Sequence, residues 1–389
     1  MSETVKNPDF MLSEMLEQPR ILDSLYDDTN IKNIGKFIIQ SDIERIIFTG
    51  SGDSYCAAWY GAHIGQRWRP DLDIRYYAPF EFVNYSDPQF LPKSVVIGLS
   101  VSGNTPRVVE ALRFANKFGA KTIGITDNPQ GQVAAETDHT LFIHASPPET
   151  LETSSYVTEG AKEYTGYHHD VAQTKTYLAN LAVQSLLVAY FSSQKAVVFS
   201  HIRETFQLVK ITINQRSSFL KLGNDLGRTV DKVIFVSSGA NGPTGLFGSY
   251  KMFEFSLNGY ACDIEEYCHT NYFITTENSL VIFIAPDFPT FERIREVEPV
   301  IRDVIGSKTI VLVNPDIYRE TKIDPHYVLI ETPKNDVLSP LVYTIPIEFL
   351  TYSIAKSNGF DTNQFRGGQD TEKYVSGSYR TIRQSKIYY

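Results

Sequence analysis

The feature that most constrains this chain is a repeated pattern of short apolar segments, each followed by a turn and a helix-like segment. Residues 46–49 and 95–99 are apolar runs that end in turns of glycine and hydroxyl residues, and residues 122–126 form a third run. Strands that alternate with helices join into parallel sheets through right-handed crossovers. The pattern therefore predicts a doubly wound α/β fold.

The same pattern occurs twice. Arg45-Ile-Ile-Phe-Thr-Gly-Ser-Gly52 aligns with Lys232-Val-Ile-Phe-Val-Ser-Ser-Gly239, and four of the eight positions are identical. Further strands are expected at residues 280–284 and 309–313, with a spacing close to that of the first half. We therefore predict two doubly wound parallel-sheet domains related by internal duplication.

A length of 389 residues also fits two domains. The predicted division is a helical lead-in, a first α/β domain, a helical connector, a second α/β domain and a C-terminal tail with little apolar periodicity. These parts cover residues 1–41, 42–191, 192–229, 230–358 and 359–389.

Charge and cysteine content exclude several classes of protein. Acidic residues outnumber basic ones by 45 to 36, which argues against a nucleic-acid or membrane partner. Three cysteines do not make a disulfide framework, and Cys262, Cys268 and His269 lack the paired spacing of a zinc site. His168 and His169 are adjacent, so they point to different helix faces. No metal or cofactor is predicted.

Nothing in the N-terminal residues resembles a signal peptide, because an apolar core is missing there. The apolar stretch near residues 181–191 is too short to span a membrane, and Gln184 interrupts it. We therefore expect a soluble, cytoplasmic protein.

The turn after the second apolar run is the most informative motif. Ser100-Val101-Ser102-Gly103-Asn104-Thr105 follows a predicted strand and opens a helix with Pro106 in its first position. A helix N-terminus offers unpaired N–H groups and a partial positive charge, a glycine allows close approach, and hydroxyls donate to phosphate oxygens. An anion site is favoured over an ordinary capped turn. The second half has lost this loop, since residues 285–290 contain two prolines and no serine.

The turn after the first apolar run, residues 50–54, has a similar form. Asp53 is unexpected there because a carboxylate repels phosphate. Its side chain either caps the following helix or accepts hydrogen bonds from sugar hydroxyls.

Motifs in this order resemble the SIS (sugar isomerase) domain superfamily, and more closely the isomerase half of glucosamine-6-phosphate synthase. The resemblance covers roughly residues 14–370. The segments that carry it are Glu17-Gln18-Pro19, Gly50-Ser51-Gly52-Asp53-Ser54-Tyr55, the loop from Ser100 to Thr105, Val171-Ala172-Gln173-Thr174-Lys175, Lys251-Met252-Phe253-Glu254, Glu266-Tyr267-Cys268-His269 and Gly359-Phe360-Asp361-Thr362-Asn363-Gln364-Phe365-Arg366.

The resemblance implies roles for these positions. Glu254 would be the isomerase base, and His269 would help to open the sugar ring from the neighbouring subunit of a homodimer. Lys251 would stabilise oxyanion charge or bind phosphate, although a surface salt bridge with Glu254 is the plainer interpretation from the residues alone. The residues implied in substrate binding are Gly52, Asp53, Ser54, Ser100, Val101, Ser102, Gly103, Thr105, Gln173 and Lys373.

The chain departs from the family pattern in three places. The interval from Glu254 to His269 is one residue shorter. The tail lysine that forms a Schiff base in the family falls on Asp370, and Lys373 is the nearest substitute. No glutaminase segment is expected, and the tail is more similar to those of sugar-phosphate deglycases.

The resemblance implies an enzyme, a phosphosugar isomerase for a hexose 6-phosphate or amino-hexose 6-phosphate, with free ammonia as a possible second substrate or product. A fructosamine 6-phosphate deglycase and a non-catalytic sugar-phosphate sensor are the alternatives. The sensor is less favoured because no DNA-binding segment accompanies the two halves.

Overall fold

Two five-stranded sheets organise the chain in a computed structural model, which describes residues 9–145, 171–318 and 325–389. The elements of the first half are α1 (Phe10–Tyr26), α2 (Thr29–Gln40), β1 (Arg45–Gly50), α3 (Asp53–Trp68), β2 (Asp73–Tyr77), α4 (Pro79–Tyr85), β3 (Ser94–Leu99), α5 (Pro106–Lys117), β4 (Lys121–Thr126), α6 (Gln132–Ala135), β5 (His139–Phe142) and α7 (Lys175–Phe191).

Two helices then lead to the second half and the tail. The remaining elements are α8 (Lys195–Asn214), α9 (Arg216–Gly227), β6 (Lys232–Ser237), α10 (Gly242–Glu254), β7 (Asn258–Cys262), α11 (Ile264–His269), β8 (Ser279–Ala285), α12 (Phe288–Val300), β9 (Lys308–Val313), β10 (Tyr327–Leu329), α13 (Ser339–Ser357) and α14 (Gly377–Arg383).

Both sheets are parallel throughout and share one strand order. The first runs β2-β1-β3-β4-β5 and the second, in the same sense, β7-β6-β8-β9-β10. The registers also match, since Arg45 pairs with Ser94 as Lys232 pairs with Ser279. The predicted duplication and the doubly wound parallel fold are therefore confirmed.

The end of α12 differs from the prediction. The sequence indicates one helix over residues 290–305, whereas α12 ends at Val300 and a π-helical turn covers Ile301–Ile305. Pro299 inside α12 lacks the amide that a regular helical hydrogen bond needs, which explains the change of winding.

One hydrophobic core joins the two halves. Apolar side chains from both sheets, from α7 and from α13 belong to a single cluster, while smaller clusters cover the outer face of each sheet. Helix α7 packs against α1, α2 and α3, and α13 packs against α8, α9 and α10. Both are buried on nearly all sides, which explains their almost uniformly apolar sequences.

In the described part of the chain, one helical stretch is long and apolar enough to span a membrane, Asp336–Ser357. Its 18-residue apolar window is completely buried inside the fold, as in the core helices of globular proteins.

The two halves also meet near the functional motifs. Helix α10 of the second half packs against α3 of the first. Helix α3 begins at Asp53, directly after the loop of residues 50–54, and α10 ends at Glu254. This packing therefore brings that loop close to the carboxylate that the resemblance implies as the base.

Candidate active site

The loop between β3 and α5 is closed by its own hydroxyl groups. Ser100 Oγ and Thr105 Oγ1 are 2.8 Å apart, and Thr105 is the N-cap of α5 without capping it through its side chain. Gly103 has a φ of +69°, and a Cβ there would lie 3.0 Å from Thr126 Oγ1. Its amide donates to Ser100 O at 2.9 Å within the turn, and its expected role in substrate binding stays a prediction.

The equivalent loop of the second half is built differently. Asp287 precedes α12, and its Oδ1 accepts a hydrogen bond of 2.9 Å from the Thr290 amide. A carboxylate that caps its own helix occupies the place where an anion would bind. At this helix N-terminus the second half therefore presents a carboxylate, whereas the first half presents hydroxyl groups.

Of the two roles considered from sequence for Asp53, the structure does not show capping of α3, and binding of sugar hydroxyls stays a prediction. Gly52, with a φ of +59°, is the N-cap of α3, and no side chain caps that helix. The Asp53 carboxylate instead accepts a hydrogen bond of 2.8 Å from Lys251 Nζ of α10. The pairing was not foreseeable from sequence because the two residues lie 198 positions apart.

Lys251 is the link between the two halves. Its side chain is fully buried, and Nζ also donates to Gln173 O at 3.1 Å and to Glu254 Oε1 at 2.9 Å. A surface salt bridge is therefore the wrong interpretation of the Lys251–Glu254 pair. Three protein partners account for the three N–H bonds of the ammonium group. Lys251 thus holds Asp53, Gln173 and Glu254 in place and keeps no N–H for a phosphate.

The charges in this group shift one another's pKa values. Densely packed protein surrounds the Glu254 carboxylate, and this burial raises its pKa to about 7, with Lys251 opposing the shift and Asp53 adding to it. Burial lowers the pKa of Lys251, but the two carboxylates outweigh it and the net shift is upward. Around neutral pH the group therefore combines a permanent cation with a carboxyl that can take or give a proton.

A pocket of about 310 Å³ lies beside these groups. Its lining comes from both loops, from the start of α7 and from the C-terminal tail. The residues are Ser51, Asp53, Ser54, Val101, Ser102, Thr105, Gln173, Thr176, Tyr177, Asn180, Phe365, Tyr379, Ile382 and Arg383. Glu254 is not in this lining but is joined to it through Lys251, which contacts Asp53 and Gln173. Its side chain keeps 22% of its surface exposed.

The tail residues of this lining were not identified from sequence. Arg383 Nη1 donates to Ser102 Oγ at 3.2 Å, and its guanidinium lies 5.0 Å from the centre of the Tyr379 ring. Residues 359–389 show no apolar pattern that would reveal where they pack. The tail carries several basic residues, and nothing in its sequence distinguishes Arg383 from Arg380 or Lys386.

His269 and Lys373, two of the expected site residues absent from this lining, are exposed. His269 at the end of α11 is exposed, and its Nδ1 is 2.7 Å from Glu265 O. Lys373 is exposed, with Nζ 4.8 Å from the centre of the Tyr374 ring. Among the residues with described positions, no three His, Cys, Asp or Glu side chains form a group that could hold a metal. His168 and His169 lie outside the described residues.

Residues 38–161 match the family model of the SIS domain. The name SIS domain is used below for this matched segment. The loop from Ser100 to Thr105, called the anion loop below, lies within this SIS domain, as do Gly52 and Asp53. Lys251 and Glu254 come from the second half of the chain.

Similarity to known proteins extends beyond the SIS domain. The chain is 26% identical over 382 residues to an isomerizing glutamine–fructose-6-phosphate aminotransferase of Thermococcus kodakarensis. The aligned region covers 94% of this chain and 58% of that relative. The chain thus spans a little over half the length of this relative. The similarity does not include the remainder of that protein.

Solved structures share the complete fold. The C-terminal domain of glucosamine-fructose-6-phosphate aminotransferase from Francisella tularensis superposes with a TM-score of 0.75 at 18% identity, covering 92% of this chain and 98% of that domain. Tagatose-6-phosphate ketose/aldose isomerase from Escherichia coli gives a TM-score of 0.69 at 16% identity, with 91% and 94% covered. The second half of this chain is therefore part of the same architecture as the SIS domain.

Proposed function

We propose that this protein is a phosphosugar isomerase that acts on a hexose 6-phosphate or an amino-hexose 6-phosphate. The observation that carries the proposal is the contact between the halves. Lys251 joins Asp53 of the pocket wall to Glu254, a carboxyl with a pKa near 7, and the same pocket includes a hydroxyl-rich loop at a helix N-terminus. The similarity to enzymes named for sugar phosphates supports it.

The phosphate is assigned to the anion loop. Ser102 and Thr105 line the pocket with hydroxyl groups that can donate to a phosphate, and the partial positive charge at the start of α5 favours an anion there. Ser54 and Gln173 line the same pocket and are assigned to sugar hydroxyls.

The proton transfer is assigned to Glu254. The carboxylate takes the proton from the carbon next to the sugar carbonyl and leaves an enediolate, or its nitrogen analogue for an amino sugar. The proton on the neighbouring oxygen or nitrogen moves to the former carbonyl oxygen, and the Glu254 carboxyl returns its proton to the former carbonyl carbon. A pKa near 7 suits both steps. Lys251 is a positioning residue, because its three N–H bonds are engaged within the protein.

A substrate panel tests the reaction class. Hexose 6-phosphates, amino-hexose 6-phosphates and a fructosamine 6-phosphate are incubated with the protein, with and without ammonia, and followed by NMR. Interconversion of aldose and ketose supports the proposal, and a requirement for ammonia, or its release, identifies the amino sugar. Cleavage of the fructosamine alone would identify a deglycase, and binding without turnover would identify a sensor.

Glu254→Gln tests the base separately. The amide keeps the size of the side chain but cannot take the proton, so the variant should bind substrate normally. It should lose turnover and C1 or C2 proton exchange with deuterated water by roughly 10²- to 10⁴-fold. Glu292→Gln is the control because Glu292 lies on the exposed side of α12 and is 46% exposed.

Exchange at the parental rate in Glu254→Gln would reject this assignment. The base would then be sought at Asp53, the acidic residue that lines the pocket directly.

A further inference from the structure

The end of the chain returns to the SIS domain and docks on α5. Arg107 Nε donates to Ser385 Oγ at 2.9 Å, and the Tyr388 amide donates to Glu110 Oε1 at 2.8 Å. Glu110 is only 1% exposed and also pairs with Arg107. A buried carboxylate satisfied partly by the tail indicates a specific contact rather than a chance one.

Aromatic contacts strengthen this docking. The Tyr389 ring lies edge-on to Phe114, with 5.1 Å between the ring centres, and Lys117 Nζ is 4.9 Å from the centre of the Tyr389 ring. Residues 385–389 thus hold α14, which immediately precedes them, next to the loop that opens α5.

This docking places a guanidinium group at the anion loop. Arg383, the last residue of α14, bonds Ser102 Oγ and lines the pocket. Among the described residues of the lining, Arg383 is the only cation and Asp53 the only anion. The loop itself contributes hydroxyls and backbone groups but no formal positive charge.

A phosphate monoester needs such a charge in this pocket. It carries close to two negative charges at neutral pH, and Asp53 in the same wall repels it. A guanidinium group matches phosphate with paired N–H donors, and charge-assisted hydrogen bonds of this kind are stronger than those from hydroxyls.

We propose that Arg383 is a phosphate-binding residue, and that the tail therefore closes the pocket preferentially on a phosphorylated sugar. Its guanidinium turns from Ser102 Oγ to the phosphate oxygens, while residues 385–389 stay docked on α5. The inference rests on the proposed function and adds to it the group that selects the phosphorylated form of the ligand.

Calorimetry with glucose 6-phosphate, fructose 6-phosphate, glucosamine 6-phosphate, inorganic phosphate and unphosphorylated fructose tests the assignment. Arg383→Gln should weaken binding of the best hexose 6-phosphate by roughly 10- to 100-fold and leave binding of unphosphorylated fructose unchanged. The affinity of Arg383→Lys for the hexose 6-phosphate should lie between those of the parent and of Arg383→Gln, because lysine keeps the charge but lacks the paired N–H donors of a guanidinium group.

Arg380→Gln is the matched control on the same helix. Arg380 is 62% exposed, lies 3.9 Å from Glu372 and does not line the pocket, so binding should remain at the parental level. Hydrogen exchange provides a second measurement. The best hexose 6-phosphate should slow exchange in residues 372–389 of the parent but not of Arg383→Gln.

The outcomes separate this inference from the proposed function. If the parent binds a hexose 6-phosphate and Arg383→Gln binds it within twofold, the role of Arg383 is rejected and the proposed function stands. If the parent binds none of the phosphorylated compounds, both are rejected.

Discussion

At the scale of single residues, Asp53 and Glu254 share one buried ammonium group, and their balance sets the pH range in which Glu254 can act as a base. Deprotonated Glu254 is the active form, so the rate of substrate proton exchange should rise with pH through about 7. Asp53 holds the pKa of Glu254 up. Asp53→Asn should therefore move the rising limb to lower pH.

The measurement is kcat/KM for deuterium exchange between pH 5 and pH 9 in the parent and in Asp53→Asn. The phosphate of the substrate also titrates, but it contributes equally to both profiles. A limb that stays in place or moves to higher pH would show that Asp53 does not act on the essential group.

At the scale of elements, the anion loop and its counterpart before α12 provide a comparison within one chain. Removing two phosphate donors with Ser102→Ala and Thr105→Ala should weaken hexose 6-phosphate binding by ~2–4 kcal/mol, at ~1–2 kcal/mol for each hydrogen bond to a charged group. Thr290→Ala removes a hydroxyl from the equivalent turn of the second half and should have no effect. Unchanged calorimetric affinity in the double variant would place the phosphate elsewhere.

The elements were more predictable than the contacts between them. The runs that became β1, β3, β6 and β8 could be located from sequence because buried parallel strands are continuously apolar. The contacts Lys251–Asp53 and Arg383–Ser102 join residues 198 and 281 positions apart. No local pattern encodes such a pairing. The docking of α14 could not be predicted because its helix is short and has no buried apolar stripe.

At the scale of the whole molecule, the two copies of one fold contribute different chemical groups. The SIS domain keeps the anion loop, and the second copy caps its equivalent helix with Asp287 and contributes Lys251 and Glu254. Lys251 of the second copy contacts Asp53 in the pocket wall, whereas the described lining of the pocket comes from the SIS domain, α7 and the tail.

His269 extends the same division to a second chain. It is exposed and lies outside the pocket lining of its own chain, and the residues that follow it expose large apolar side chains, Phe273 and Ile274 at 79% and 40%. Apolar surface of this kind is typical of a protein interface. We therefore predict a homodimer in which His269 acts in the partner's site.

Mixed dimers of Glu254→Ala and His269→Ala chains each contain one site with both groups intact, so random mixing should restore about a quarter of the parental activity. Each variant mixed with itself is the control. If mixed dimers verified by mass spectrometry stay inactive, the two groups do not act across the interface.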